Sequence, residues 1–302
     1  MISHHEQMLA RCTGLAPLRT GVVHPCDAMS LRGALAAADV GVIVPVLIGN
    51  EEKIRAVARV GSLDLEGCEI VTAPHSHAAA VLAAQMARDG FVEALMKGSL
   101  HSDELLHEIT QPDSGLHTER RMSHAFVVDV SSYAQPLVIS DAVVNVHPAL
   151  DEKCDIVQNA IDLAHAIGLD DVRVALLSAV ETVSAKIAST LDAAALCKMG
   201  DRGQITGALL DGPLALDDAI SAEAAAEKGI RSPIAGRANV LIVPDFESGN
   251  MLVKALALLA RAALAGIVLG ARIPIALTSR ADTVETRVAS AAIALLLARA
   301  RG

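Results

Sequence analysis

A mainly parallel β-sheet with helices on both faces is the fold class the sequence predicts, and three observations predict it. Short aliphatic runs alternate with alanine-rich stretches along the chain, the order that repeated strand–helix–strand units impose. Hydrophobic residues fill 52% of the 302 positions at a mean hydropathy of +0.44, so most of the chain must be packed. In the second half, four runs emerge into polar loops ahead of a helical stretch: LLSAVE, LLDGP, VPDFESGN and LTSRAD. In open α/β sheets such strand ends line the edge where ligands sit.

Strands are expected at 42–48, 69–72, 125–130, 172–177, 205–210, 240–243 and 273–277, short runs rich in Val, Ile, Leu, Ala or Thr beside polar or turn-forming residues. A further strand in PLVIS runs into DAVVNVHPAL before a helix begins around Asp151, which sets a domain boundary at 141–150. Ser102-Asp103 opens a helix, and His75 and His77, without a third ligand nearby, read as a solvated helix start. The stretch 251–265 is apolar nearly all round except Lys254 and Arg261, so a helix with both broad faces buried is expected, in a dimer interface for example. At 273–288 a strand emerges at Thr278-Ser279-Arg280, and Asp282-Thr283-Val284-Glu285 has the spacing of a capping box.

Composition excludes several function classes. A net charge of -10 disfavours nonspecific nucleic-acid binding, and three Phe, one Tyr and no Trp leave little for base stacking. Lys254, Arg261 and Arg272 interrupt the most apolar region, so no membrane span is expected. The start MISHHEQMLARC carries no leader pattern, which points to the cytoplasm. Five cysteines, Cys12, Cys26, Cys68, Cys154 and Cys197, form no C-x-x-C pair and read as reduced thiols. Dinucleotide, P-loop, nucleophile-elbow and zincin motifs are missing from the sequence.

Pooled at one sheet edge, the four polar loops would gather Ser178, Glu181, Asp211, Asp245, Asn250, Ser279 and Arg280, where helix N-termini favour anions. Ser248-Gly249-Asn250 offers amides to an anion, with Lys254 one turn inside the helix, although an N-cap and turn explains the same residues. The loop 229–238 holds Arg231 and Arg237, both available to phosphate. Lys97-Gly98 follows an apolar run. Ser279 lacks the marks of a hydrolase nucleophile and reads as a hydrogen-bonding residue beside Arg280, while Asp282 and Glu285 are explained equally by a helix cap.

LMKG (95–98), ISDAVVNVHPALDEK (139–153), LSAVE (177–181), DGPLALDDAIS (211–221), SPIAGRANVLIVPDFESGNMLVK (232–254) and LTSRAD (277–282) resemble, in this order and spacing, the phosphate acetyltransferase and phosphate butyryltransferase family. The likeness spans nearly the whole chain and is strongest from Leu95 onward. It implies a cytoplasmic homodimer of two α/β/α domains with an interdomain cleft, related in fold to the isocitrate and isopropylmalate dehydrogenases. The last helix would return to the first domain, giving 1–141 with 272–302 and a second domain at 142–271.

The implied reaction is reversible transfer of a short acyl group between coenzyme A and inorganic phosphate, through acyl-CoA and acyl phosphate. It needs no metal, no acyl-enzyme and no cofactor, with coenzyme A as substrate. The resemblance implies Ser279 and Arg280 as the catalytic pair, and substrate binding at Lys97, Gly98, Ser232, Gly236, Asp245, Gly249, Asn250 and Lys254. Acetyl-specific members carry an aspartate seven residues after the serine as base for the thiol, and here Thr286 stands there. Asp282 and Glu285 are equal candidates for that role, unless Arg280 suffices by favouring the thiolate. The LMKG and LTSRAD versions look closer to the butyryl branch. Two alternatives stay open: a non-catalytic paralogue binding CoA or acyl phosphate, and a metal-dependent decarboxylating dehydrogenase of the same fold. The latter needs clustered aspartates, which no stretch of the sequence displays.

Overall fold

The computed structural model describes residues 4–279 and 282–300. The chain forms two compact units, Met1–Met122 with Ala265–Gly302, and Ser123–Leu264. The first contains α1 (His4–Arg11), β1 (Leu18–Val23), α2 (Ala28–Asp39), β2 (Ile43–Gly49), α3 (Glu51–Gly61), β3 (Glu69–Thr72), α4 (Ser76–Arg88), β4 (Ala94–Lys97) and α5 (Ser102–Thr110). The second contains β5 (Ser123–Asp129), β6 (Leu137–Ser140), α6 (Leu150–Ala166), β7 (Arg173–Leu177), α7 (Ala188–Asp201), β8 (Leu209–Leu214), α8 (Leu216–Ile220), α9 (Ala222–Glu227), β9 (Val240–Ile242) and α10 (Phe246–Leu259). The chain then returns to the first unit through β10 (Ala263–Leu269), β11 (Ile275–Ala276) and α11 (Val284–Ala300).

In the first unit the strand order is β3-β2-β1-β4-β11-β10, parallel from β3 to β11 and antiparallel between β11 and β10. Val23 pairs with both Ile48 and Lys97, and Ala276 with Met96, so the carboxyl ends of β1, β2, β4 and β11 share one edge. Such strands are covered on both faces and read as continuous apolar runs: Val22, Val23, Leu47, Ile48 and Leu95 are fully buried. In the second unit the order is β5-β6-β9-β7-β8, with β5 antiparallel to β6 and the rest parallel. Ser140 and Leu176 both pair with Ile242, which aligns those carboxyl ends.

The units divide earlier on the chain than the expected boundaries at 141 and 271. β5 and β6 pair as a hairpin and β6 then pairs with β9, so both belong to the second unit. β10 pairs with β11 and carries the chain back to the first. Three strands, β1, β4 and β10, were not among those expected. β1 is interrupted by Gly21, where a Cβ would lie 3.0 Å from Leu95 Cδ2 and 3.1 Å from Ile48 Cδ1, so the sheet needs a glycine there for close packing. The strand expected at 205–210 runs instead from Leu209 to Leu214 and puts Asp211 inside it, opposite Ala175.

The helix expected at 251–265 ends at Leu259, because Arg261 adopts a left-handed conformation (φ 51) and β10 begins two residues later. Burial of both its faces is not found within this chain. Gly249 and Val253 face inward, whereas Met251, Leu258 and Leu259 are 64%, 79% and 85% exposed. The helix buried nearly all round is α11, whose residues from Arg287 to Leu297 are all buried against α1 and α2. Each fully buried Leu or Ile there contributes about 1.5–3 kcal/mol.

Candidate active site

The carboxyl ends of β4 and β11 bring the charged side chains of Lys97, Asp282 and Arg287 onto strand-end backbone. Ser279 is exposed, directly after the buried Leu277 and Thr278. Its N–H donates to Asp282 Oδ2 at 2.6 Å, and its carbonyl accepts from Asp282 N and from Arg287 Nη2, both at 3.2 Å. Lys97 is 1% exposed and its ammonium donates to the Thr278 carbonyl at 3.1 Å. Arg287 Nη1 donates to the Lys97 carbonyl at 3.1 Å. Two charged side chains, Lys97 and Arg287, thus tie the loop after β11 to the end of β4, and Asp282 closes that loop on itself. Arg280, the partner expected for Ser279, lies outside the described residues.

The expected capping box does not form. Thr283 caps α11, its hydroxyl accepting from Thr286 N at 3.3 Å, and this leaves Asp282 to take the Ser279 amide. The two carboxylates consequently differ. Burial pushes the Asp282 carboxyl above its ordinary range, against the Ser279 amide and the charges of Arg287 and Lys97. Glu285 is exposed, and its own amide and the Thr283 hydroxyl hold it below the usual glutamate range. Thr286, where an acid was expected, lies within the cap.

Gly98 permits a close approach of strands. Its N–H donates to Val23 O at 2.9 Å, and a Cβ at this position would lie 2.3 Å from that oxygen and 2.7 Å from His24 O. Ser99 Oγ donates to His24 O at 2.7 Å, and His24 itself is left-handed (φ 55). Gly98→Ala is therefore expected to destabilise the protein by about 3 kcal/mol, measured by chemical denaturation. His75 accepts from Ala78 N through Nδ1 and caps α4, the helix start expected of it.

In the second unit, the ends of β6 and β9 meet the start of α10. Asp245 caps that helix, accepting from Ser248 N at 2.8 Å and Ser248 Oγ at 2.9 Å. Burial raises its pKa, but Ser248, His147 and Lys153 outweigh that and hold the carboxyl below its ordinary range. Gly249 lets α10 approach β6, since a Cβ there would lie 2.7 Å from Val243 Cγ2 and 3.0 Å from Asp141 O. Asn250 Nδ2 donates to Ala142 O at 3.2 Å, and Lys254 is exposed. Asp141, not singled out in the sequence, is 3% exposed and accepts from the amides of Val143, Val144 and Asn145 and from Asn145 Nδ2. Burial nevertheless pushes its carboxyl up.

Ser232 Oγ accepts from Ile234 N and Ala235 N, and Gly236 (φ +72) passes within 2.4 Å, at its would-be Cβ, of the Ala222 backbone. Ser178 pairs with Ser189 at 2.8 Å. The residues expected to pool at one edge therefore divide: Ser279 belongs to the first unit, and Ser178, Glu181, Asp211, Asp245 and Asn250 to the second.

The fold also assembles a carboxylate cluster that the sequence did not show. Single carboxylate oxygens of Glu181, Asp217 and Asp218 lie within 4.8 Å of one another. The Lys228 ammonium sits against all three, at 2.8, 2.9 and 2.9 Å. Its hydrogen bond holds Glu181 down to about 2, while burial raises Asp218, which is 0% exposed. The arrangement is an ion network closed by its own cation.

Among the described residues, no helix is long and apolar enough to cross a membrane. A model of the family described as phosphate acetyl/butaryl transferase matches residues 75–295. A phosphate acetyltransferase of Rhizobium meliloti is 58% identical over 99% of this chain and 95% of its own length. A phosphate butyryltransferase of Clostridium acetobutylicum is 36% identical over 99% of both chains. Among solved structures, a branched-chain phosphotransacylase from Enterococcus faecalis superposes with a TM-score of 0.79 at 27% identity, over 93% of this chain and 99% of that one. A 4-hydroxythreonine-4-phosphate dehydrogenase from Klebsiella pneumoniae shares the fold at a TM-score of 0.55 and 11% identity, over 93% of this chain and 99% of that one. With the family model matching most of its length, and relatives of both acyl types aligned from end to end, this chain belongs to the phosphate acetyl/butyryltransferase family of acyltransferase enzymes.

Proposed function

We propose that this phosphate acyltransferase moves an acetyl group directly between coenzyme A and inorganic phosphate at the Ser279 strand end, with Asp282 as base for the thiol. The observation that carries this reading is the exposed Ser279, whose carbonyl accepts from Arg287 and whose N–H donates to Asp282, a carboxyl whose pKa is raised. A thiol of pKa near 8.5 is mostly protonated at neutral pH, so its attack gains from a base of elevated pKa. Asp282 takes the thiol proton, the thiolate adds to the acyl carbon, and the bond to the phosphate oxygen breaks with phosphate leaving as the anion. The buried cations Lys97 and Arg287 favour charge at this edge, and Arg280, by the family resemblance, meets the phosphoryl oxygens.

The choice of acetyl rests on identity, 58% with an acetyltransferase against 36% with a butyryltransferase, and it outweighs the butyryl-like motifs. Asp245, Gly249, Asn250, Lys254, Ser232 and Gly236 remain proposed substrate contacts of the second unit. A cytoplasmic homodimer is part of the reading, supported by the exposed Met251, Leu258 and Leu259 of α10, which a second copy would cover. Direct transfer is tested with labelled phosphate. The label is expected to enter acetyl phosphate when coenzyme A is present, and exchange in its absence would reveal an acyl-enzyme and overturn this mechanism.

A further inference from the structure

Among the described residues, Arg287 is the largest side chain with no exposed surface. It lies in the first turn of α11, with Nη1 on the Lys97 carbonyl, Nη2 on the Ser279 carbonyl, and Nε buried without a hydrogen-bond partner. α2 makes room for it at Gly33, where a Cβ would stand 2.4 Å from Arg287 Cδ. Among the described residues no carboxylate is within ion-pair distance; Asp27 and Asp282 offset its charge from farther away. A buried guanidinium so sparsely compensated is costly, and an apolar side chain of similar size would pack α11 on α2 with less penalty. Both of its hydrogen bonds go to carbonyls at the strand ends that carry Lys97 and Ser279. The Ser279 backbone is thereby held through both of its flanking peptide groups, its N–H by Asp282 and its carbonyl by Arg287.

We propose that Arg287 is a positioning residue for acyl transfer: without touching the reactants, it fixes the Ser279 carbonyl and, with Lys97, maintains a positive potential beneath the strand ends where thiolate and phosphate form. The proposal rests on Ser279 marking the reacting centre, as argued above. Asp282, the titrating group in question, is faced by Arg287, Lys97 and the Ser279 amide.

In the full chain, Arg287→Met is expected to keep its fold by circular dichroism and to lose about 10²-fold in kcat, with KM for coenzyme A and acetyl phosphate within about threefold. Arg287→Lys recovers part of the loss because it restores the charge and one donor. The acidic limb of kcat/KM moves to higher pH in Arg287→Met, since a cation that favours ionised Asp282 is gone, and returns toward its original place in Arg287→Lys. A purely structural role would not move that limb. Where loss of the buried cation unfolds the Met variant, Gly33→Ala carries the test, because it displaces the Arg287 stem and keeps the charge; kcat is expected to fall with KM held. Folded variants with unchanged kcat and an unchanged acidic limb overturn the proposal, as does a kcat that falls only in step with the folded fraction. Failure of the functional reading is distinct: the unaltered chain would then form no thioester.

Discussion

Asp282→Asn is expected to lower kcat by about 10²–10⁴-fold, the range for a positioned general base, while Glu285→Gln stays within about threefold of the parent. The two carboxylates are three residues apart and alike in the sequence. The fold separates them by environment: Asp282 is partly buried beside Ser279 with a raised pKa, and Glu285 is exposed with a lowered one. A carboxylate held below its ordinary range is the weaker base. With ionised Asp282 as the proposed active form, activity is expected to rise as pH passes upward through its raised pKa. The acidic limb of kcat/KM should therefore lie above the ordinary aspartate value of about 3.9, and Asp282→Asn should abolish it. Asp282 caps no helix amide of α11, so the substitution leaves the Thr283 cap intact and its effect on stability is small.

Arg280→Ala is expected to lower kcat/KM by about 10²–10³-fold with little change in thermal midpoint. The argument is one of charge supply. The leaving phosphate gains negative charge as the carbon–oxygen bond breaks, and a guanidinium can hold two of its oxygens at once. Lys97 and Arg287 are buried and engaged with backbone carbonyls, so in the proposed mechanism they act on the phosphate as a field and not as contacts. Arg280 follows the exposed Ser279 in sequence and is the residue proposed to make that contact. Arg280→Lys should recover only part of the loss, since an ammonium cannot reproduce the bidentate fork. Steady-state kinetics with coenzyme A and acetyl phosphate, alongside thermal denaturation, checks both variants.

The alternation of apolar runs and alanine-rich stretches carried the fold class, because parallel strands covered on both faces must be short and continuously apolar. β3, β7 and β9 lie close to where that pattern placed them. α10 and β10 merged into one expected helix because no Gly or Pro separates them; the break rests on Arg261 in a left-handed conformation, which residue type does not announce. The unit boundary fell elsewhere because the pairing of β6 with β9, which draws the β5–β6 hairpin into the second unit, is a long-range choice unmarked by a linker.

At the site, Ser279 and the acids near it were legible as a polar strand end. Which residue caps α11 was not, since Asp282-to-Glu285 and Thr283-to-Thr286 have the same spacing. Lys97 reads in sequence as an available cation, and only the register that aligns β4 with β11 buries it under Thr278. Arg287 carried a signal that sequence reasoning passed over: a lone cation near the head of a helix otherwise apolar all round has to be buried with partners. Glu181 and Asp218 are far apart in the chain and meet because β7 and β8 run in parallel and release their loops on one side.

The central claim, direct acyl transfer between coenzyme A and phosphate, is tested most directly by the product. The purified chain is incubated with coenzyme A and acetyl, propionyl or butyryl phosphate, with chelator present and no added metal, and the thioester is identified chromatographically. Acyl-CoA formation, fastest with acetyl phosphate, is the predicted result; a folded protein that forms no thioester from any of the three would contradict the account.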